Sequence, residues 1–143
     1  MSMIILYVRD QEEACAFYRD LLLAPPLLHV PGMTEFDLPG GLRLGLMPEA
    51  GIRRLLPELE TLAPGAAGPA RAELYLTVDD AAAWLDRAMD AGATLLDPVA
   101  PRDWGESVAY ALDPFGHVLA FAMAQPQSAQ TAVSPGERPS SPV

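Results

Sequence analysis

The chain has 143 residues, half of them apolar, enough for one domain with a sizeable core. Nineteen acidic residues against nine basic ones give a formal net charge of −10, which excludes the concentrated positive charge that a nucleic-acid backbone or an anionic membrane surface requires of its partner. All nine basic residues are Arg, and without Lys neither a Schiff base nor a lysine general base is available.

Met3–Val8 (MIILYV) is rich in β-formers and predicts a first strand. No charged segment precedes it, and no apolar run approaches the ~20 residues of a membrane span, so a soluble, cytoplasmic protein is expected. Asp10 stands as an N-cap with Glu13 three residues on, and Ala14, Phe17, Leu21 and Leu22 recur at helical spacing. The single cysteine, Cys15, lies on this helix; it has no intrachain disulfide partner and reads as a small core residue. Ala24-Pro25-Pro26 ends the helix.

LLHV (27–30) and TEFDLP (34–39) predict two further strands, Gly40-Gly41 a hairpin turn, and LRLGLMP (42–48) a fourth strand. The stretch 49–71 predicts a short helix followed by a Gly/Pro/Ala linker. ELYLTV (73–78) is a strand, DDAAAWLDRAMDAG a helix ending at Gly92, and ATLLDPVAP (93–101) a strand. ESVAYALD and HVLAFAM form a closing hairpin around Asp113-Pro114-Phe115-Gly116, where Pro fixes φ at the second turn position and Gly accepts the positive φ at the exit. The last residues, 124–143, are rich in Pro, Ser and Gln and are expected to be a disordered tail.

The two halves repeat. LYVRDQEEACAFYRDLL echoes LYLTVDDAAAWLDRAMDAG, with Val8 matching Val78 and Asp10 matching Asp80. Each half reads as strand, helix, three strands. A βαβββ unit used twice predicts an α+β domain in which two small sheets curl around a shared pocket, because either half alone leaves a sheet face bare. The expected domain spans 1–123, with modules at about 1–50 and 70–123 and a linker at 51–69.

YVRDQEEACAFYRDLL, LYLTVDDAAAWLDRAMDAGA and DWGESVAYALDPFGHVLAFA together resemble the vicinal oxygen chelate superfamily, which includes glyoxalase I, the bleomycin-resistance proteins and extradiol dioxygenases. The resemblance covers about Met3 to Met123 and implies paired modules in a U-shaped, barrel-like mixed sheet (the glyoxalase/bleomycin resistance fold), often in a homodimer. In its metal-dependent members four strands each present one ligand. Those places fall here on Met3, a residue near Gly45, Glu73 and Ala120. A divalent ion needs several converging O or N donors, and Met, Gly and Ala supply none, so no metal and no other cofactor is expected. His117 lies three residues from Ala120, on the opposite face by strand alternation, and His29 stands outside the inherited positions; both read as surface or satisfied edge histidines.

Strand parity places Met3, Ile5 and Tyr7 on one face, with Gly45 and Met47, then Glu73, Tyr75 and Thr77, then Val118, Ala120 and Ala122. The expected ligand-binding residues are Glu73, Tyr75, Tyr7, Ile5, Met47, Trp104 and Ala120: an apolar, aromatic-edged cleft with one acid. Trp104 lies where bleomycin-resistance-like members carry Trp-Gly, and either walls the pocket or caps the barrel end. Trp84 reads as core. Glu73 in an apolar cleft would contact a cationic or hydrogen-bonding ligand or serve as a general base; otherwise it pairs with Arg43 or Arg71 or sits exposed.

Two functions are therefore carried forward. The first is a metal-free protein that sequesters or carries a small, largely apolar ligand. The second is an enzyme (lyase, isomerase or dioxygenase-like) using Glu73 or an unrecognised metal site, with catalytic residues unassigned. A homodimer is expected, because the apolar first strand left exposed would invite aggregation.

Overall fold

A computed structural model describes residues 2–57 and 72–125. The later part of the expected linker, and the tail beyond Gln125, lie outside the described residues. The chain runs β1 (Met3–Val8), α1 (Gln11–Leu22), β2 (Leu28–Val30), β3 (Met33–Asp37), β4 (Arg43–Pro48), α2 (Glu49–Leu55), β5 (Glu73–Thr77), α3 (Ala81–Asp90), β6 (Thr94–Pro101), β7 (Glu106–Leu112) and β8 (Val118–Ala124). It divides into two compact units, at Arg71/Ala72.

Each unit is a βαβββ module with its own four-stranded sheet, in order β1-β4-β3-β2 and β5-β8-β7-β6. The first strand of each module pairs parallel to the last, β1 with β4 and β5 with β8, and the remaining pairs are antiparallel. The mixed α+β architecture expected from the repeat is thus present as two sheets rather than a closed barrel. The register carries the repeat to single residues. Ile5 faces Gly45 across β1 and β4, and Tyr75 faces Ala120 across β5 and β8.

The helices start by the same device. The Asp10 carboxylate accepts from the Glu13 backbone N–H at 2.9 Å, and the Asp80 carboxylate from that of Ala83 at 3.1 Å. Each satisfies one backbone donor that a helix start leaves without an intrahelical acceptor. They end differently: α1 runs into Leu23 at φ 56, a left-handed conformation usually left to glycine, while α3 closes through Ala91 and Gly92 at φ 118. In the first unit α1 lies on β3 and β4, and Ala14, Phe17, Tyr18 and Leu21 are buried along with Leu6, Val8, Phe36, Leu44 and Leu46. In the second, α3 lies on β6, β7 and β8, with Ala81, Leu85 and Ala88 buried along with Leu74, Leu76, Ala109, Ala111, Leu119 and Phe121. Trp84 packs against Phe121 with ring centres 5.8 Å apart and planes tilted by 40°, and Cys15 is buried, its thiol pushed up by burial.

Two local outcomes bear on the boundaries. The short helix after β4 forms at Glu49–Leu55 and buries Ile52, so the first unit continues past residue 50. At the other end Ala124 completes β8, and the Gln125 amide donates to the backbone oxygens of Arg102 and Glu106 at 3.1 Å each.

Candidate functional site

One face of each sheet is covered by a helix; the other is the open face. On the second sheet, alternation and register put Glu73, Tyr75 and Thr77 of β5, Val118, Ala120 and Ala122 of β8, and Glu106, Val108 and Tyr110 of β7 on that open face. Ala120 is flanked across the ladder by Tyr75 on one side and Tyr110 on the other. Val108, Ala120 and Ala122 are fully buried and form one apolar cluster, with Tyr75, Trp104 and Tyr110 packed against it. Of the residues expected to bind a ligand, Tyr75, Trp104 and Ala120 lie together in this cluster. Trp104 reaches them from the turn before β7, where Gly105 adopts φ 94.

A hydrogen-bonded chain crosses this cluster. Trp104 Nε1 donates to the Tyr75 hydroxyl at 3.0 Å, and the Tyr75 hydroxyl donates to Glu106 Oε1 in a short contact. Burial, then the Glu106 acceptor, push the Tyr75 phenol up to about 12, against the opposing donor from Trp104. Tyr75 therefore stays a protonated donor across the neutral range. Tyr110 is pushed up too, first by burial and then by the Glu73 charge, with Arg102 opposing.

Arg102 braces the outer edge. Its guanidinium pairs with Asp97 at 3.0 Å, donates to the backbone oxygen of Val108 at 2.8 Å and lies 5.2 Å from the Tyr110 ring centre. This is a cation–π contact within the usual range. Glu73 is exposed at the start of β5. Of the two pairings weighed for it, Arg43 meets Glu35 at 3.3 Å and Asp37 at 3.7 Å, and Arg71 lies outside the described residues.

The first sheet's open face is built differently. A Cβ on Gly45 would lie 3.1 Å from Ile5 Cγ1, 3.2 Å from Met3 Sδ and 3.3 Å from Met33 Sδ, so three flexible side chains close over that glycine. Ile5 and Tyr7 are exposed, and Met47 is half-buried beside them.

Register makes Gly45 the counterpart of Ala120 among the four places at which the resemblance implies metal ligands: Gly45 stands across from Ile5 as Ala120 stands across from Tyr75. With Met3, Gly45, Glu73 and Ala120 there, the donor set is a single carboxylate, which does not fit a hard divalent ion. Neither histidine joins them. His29 bridges Thr34 at 2.7 Å and Glu12 at 2.9 Å, between β3 and α1. His117 is held within the closing turn by Asp113 at 2.9 Å, whose buried carboxylate also accepts from the backbone N–H of Phe115 and His117. Among the described residues no three His, Cys, Asp or Glu side chains cluster, and no helix is long and apolar enough to cross a membrane.

Sequence reasoning missed Glu106 and Tyr110. Both share the parity of Val108 on β7, and the Asp113–Gly116 turn fixes the β7–β8 register, so counting back from Ala120 finds Tyr110. Glu106 is recognisable only once Tyr75 is known to lie on the other side of β8.

The family model described as Glyoxalase/Bleomycin resistance protein/Dioxygenase superfamily matches residues 1–121. An uncharacterised protein of Mycobacterium bovis is 30% identical over 119 residues, covering 78% of this chain and 75% of its own length. Among solved structures, a glyoxalase/bleomycin resistance protein/dioxygenase family enzyme from Burkholderia phytofirmans PsJN superposes with a TM-score of 0.76 at 21% identity, covering 87% of this chain and 98% of that one. A glyoxalase-related enzyme from Fulvimarina pelagi superposes at 0.69 and 22% identity, covering 86% of each. At these identities the solved structures speak for the fold alone.

Proposed function

Because the chain belongs to the glyoxalase/bleomycin resistance protein/dioxygenase superfamily, we propose that it binds a small, largely apolar organic molecule without a metal ion or other cofactor. One observation carries the reading. Where a metal-dependent member would present its last ligand, Ala120 lies buried between two tyrosines, and the partly exposed rings of Tyr75, Trp104 and Tyr110 pack against it, Tyr75 and Trp104 joined by a hydrogen bond. Such a surface suits apolar contact with a few fixed polar groups, the usual make-up of a ligand site. In this reading Tyr75 and Trp104, packed against the buried Ala120, form the platform, and Glu73 stands at its rim.

The enzymatic alternative placed acid/base work on Glu73. Exposed to water, that residue lacks the burial which the alternative asked for. Elemental analysis of protein purified without chelator, followed by titration with the neutral fluorophore N-phenyl-1-naphthylamine, tests the reading. Metal-free protein with saturable probe binding supports it; one tightly held divalent ion per chain overturns it.

We also propose that the protein acts in the cytoplasm as a homodimer. Ile4, Ile5 and Tyr7 stand exposed on β1, at the edge of the first sheet, and an apolar edge strand of this kind calls for cover. Light scattering that returns a monomer mass at micromolar concentration would count against the dimer.

A further inference from the structure

We propose that the open face of the second sheet takes an organic cation, an aromatic or alkyl ammonium, with Glu106 as its charge partner and the rings of Tyr75 and Tyr110 beside it. The proposal deepens the small-molecule reading above and rests on it.

The Trp104 N–H is engaged by Tyr75, and the Tyr75 hydroxyl both accepts from Trp104 and donates to Glu106. The guanidinium of Arg102 is engaged by Asp97 and by the backbone oxygens of Val108 and Pro98. Its remaining N–H, on Nε, is buried without an acceptor among the described residues. The Trp104 and Tyr75 donors are therefore committed within the protein. The charged groups of this face without an ion pair among the described residues are two carboxylates, Glu106 and the exposed Glu73. A positive charge on a ligand suits two carboxylates best.

The rings agree with the charges. An aromatic face attracts a cation, and Tyr110 already holds one at 5.2 Å in Arg102. Ala120 and Ala122 are fully buried against Tyr75 and Tyr110 and compete for neither hydrogen bonds nor charge. Glu106 differs from Glu73 in being held: the Tyr75 hydroxyl fixes one oxygen and leaves the other for a ligand, so less side-chain freedom is lost on binding. Tyr75 and Trp104 are thus positioning residues for Glu106 as well as walls. The overall charge of −10 favours the approach of a cation and opposes an anion.

The test uses matched probes on the full chain at low ionic strength. N-methylquinolinium and benzyltrimethylammonium are titrated by ligand-observed NMR against neutral quinoline. We expect both cations to bind about tenfold more tightly than quinoline. Glu106→Gln is expected to remove that preference while leaving quinoline affinity unchanged. Glu73→Gln is expected to weaken the cations less. Tyr75→Phe, which keeps the ring but releases Glu106, is expected to weaken the cations about threefold and quinoline hardly at all. It also serves if Glu106→Gln fails to fold. Glu106→Gln should in addition lower the pH at which one tyrosine ionises, read by tyrosinate absorbance.

Quinoline binding as tightly as the cations would overturn the proposal and leave the small-molecule reading standing. So would a cation preference that survives Glu106→Gln or is lost only in Glu73→Gln. No saturable binding of any of these probes or of N-phenyl-1-naphthylamine would overturn both.

Discussion

The two units share a backbone plan and differ in the face they leave uncovered. Their helix-facing sides match closely: Leu6 and Val8 in one correspond to Leu76 and Val78 in the other, Leu44 to Leu119, and Asp10 to Asp80 at the helix starts. Their open faces do not. The first closes Gly45 under Met3, Ile5 and Met33, whereas the second sets Ala120 between two tyrosines and threads Trp104, Tyr75 and Glu106 together. The difference teaches that a duplicated scaffold repeats what folds it and is free to vary what it presents. Packing a helix on a sheet constrains volume and polarity on one side; the other side is constrained only by what must be bound there.

The largest expected effect tests the side said to match. Leu44→Ala and Leu119→Ala each remove a fully buried side chain at corresponding places. Each should cost about 2–5 kcal/mol in urea denaturation, by similar amounts. A loss below about 1 kcal/mol at either site would break the equivalence, since a buried leucine is not that dispensable.

Gly45→Val tests the first open face. Its branched side chain would meet three neighbours that already lie 3.1–3.3 Å from an added Cβ. Overpacking of this kind should lower stability by about 1–3 kcal/mol, seen as a lower melting temperature. An unchanged melting temperature would mean that Met3, Ile5 and Met33 swing aside freely and that the face is not closed.

The caps sharpen the comparison at smaller scale. Asp10→Ala and Asp80→Ala each leave a first-turn N–H without its carboxylate. Each should cost about 1 kcal/mol, and the two losses should add, because the caps are in separate units.

The smallest effect at neutral pH belongs to Tyr75. Its phenol is raised from 10 to about 12 in the folded chain, so the folded state holds its proton to higher pH than the unfolded state does. The stabilisation is complete below pH 10 and is lost as pH rises through about 12. Tyr75→Phe should therefore flatten the fall in stability over that alkaline window. A fall of the same steepness in the variant would assign the alkaline loss to other groups.

How much of this was legible depended on distance along the chain. Both helix starts, the closing turn and the strand alternation rest on neighbours within a few residues, and each was readable from local spacing. The repeat then supplied the two modules, and parity supplied the faces, which sets Tyr75 and Ala120 side by side. The role of Glu73 was harder to read, because whether a residue at a strand start is buried depends on what lies over it; it proved exposed. Glu106 and Tyr110 escaped because their importance comes from strand order. β8 lies between β5 and β7, and that order brings residues 75 and 106 to the same place on one face.

The sequence by itself determined the elements, their amphipathic sides, the twofold repeat and the presence of only one metal-type donor, Glu73, at the four positions the resemblance implies. These follow from backbone propensity, side-chain periodicity and donor chemistry, all of which are properties of residues and their near neighbours. Only the tertiary structure decided that Tyr75 donates to Glu106 and accepts from Trp104, and that Gly45 is covered while Ala120 lies between tyrosines. Those contacts depend on which strands lie side by side, and that is settled by the packing of the whole module, beyond the reach of any local pattern.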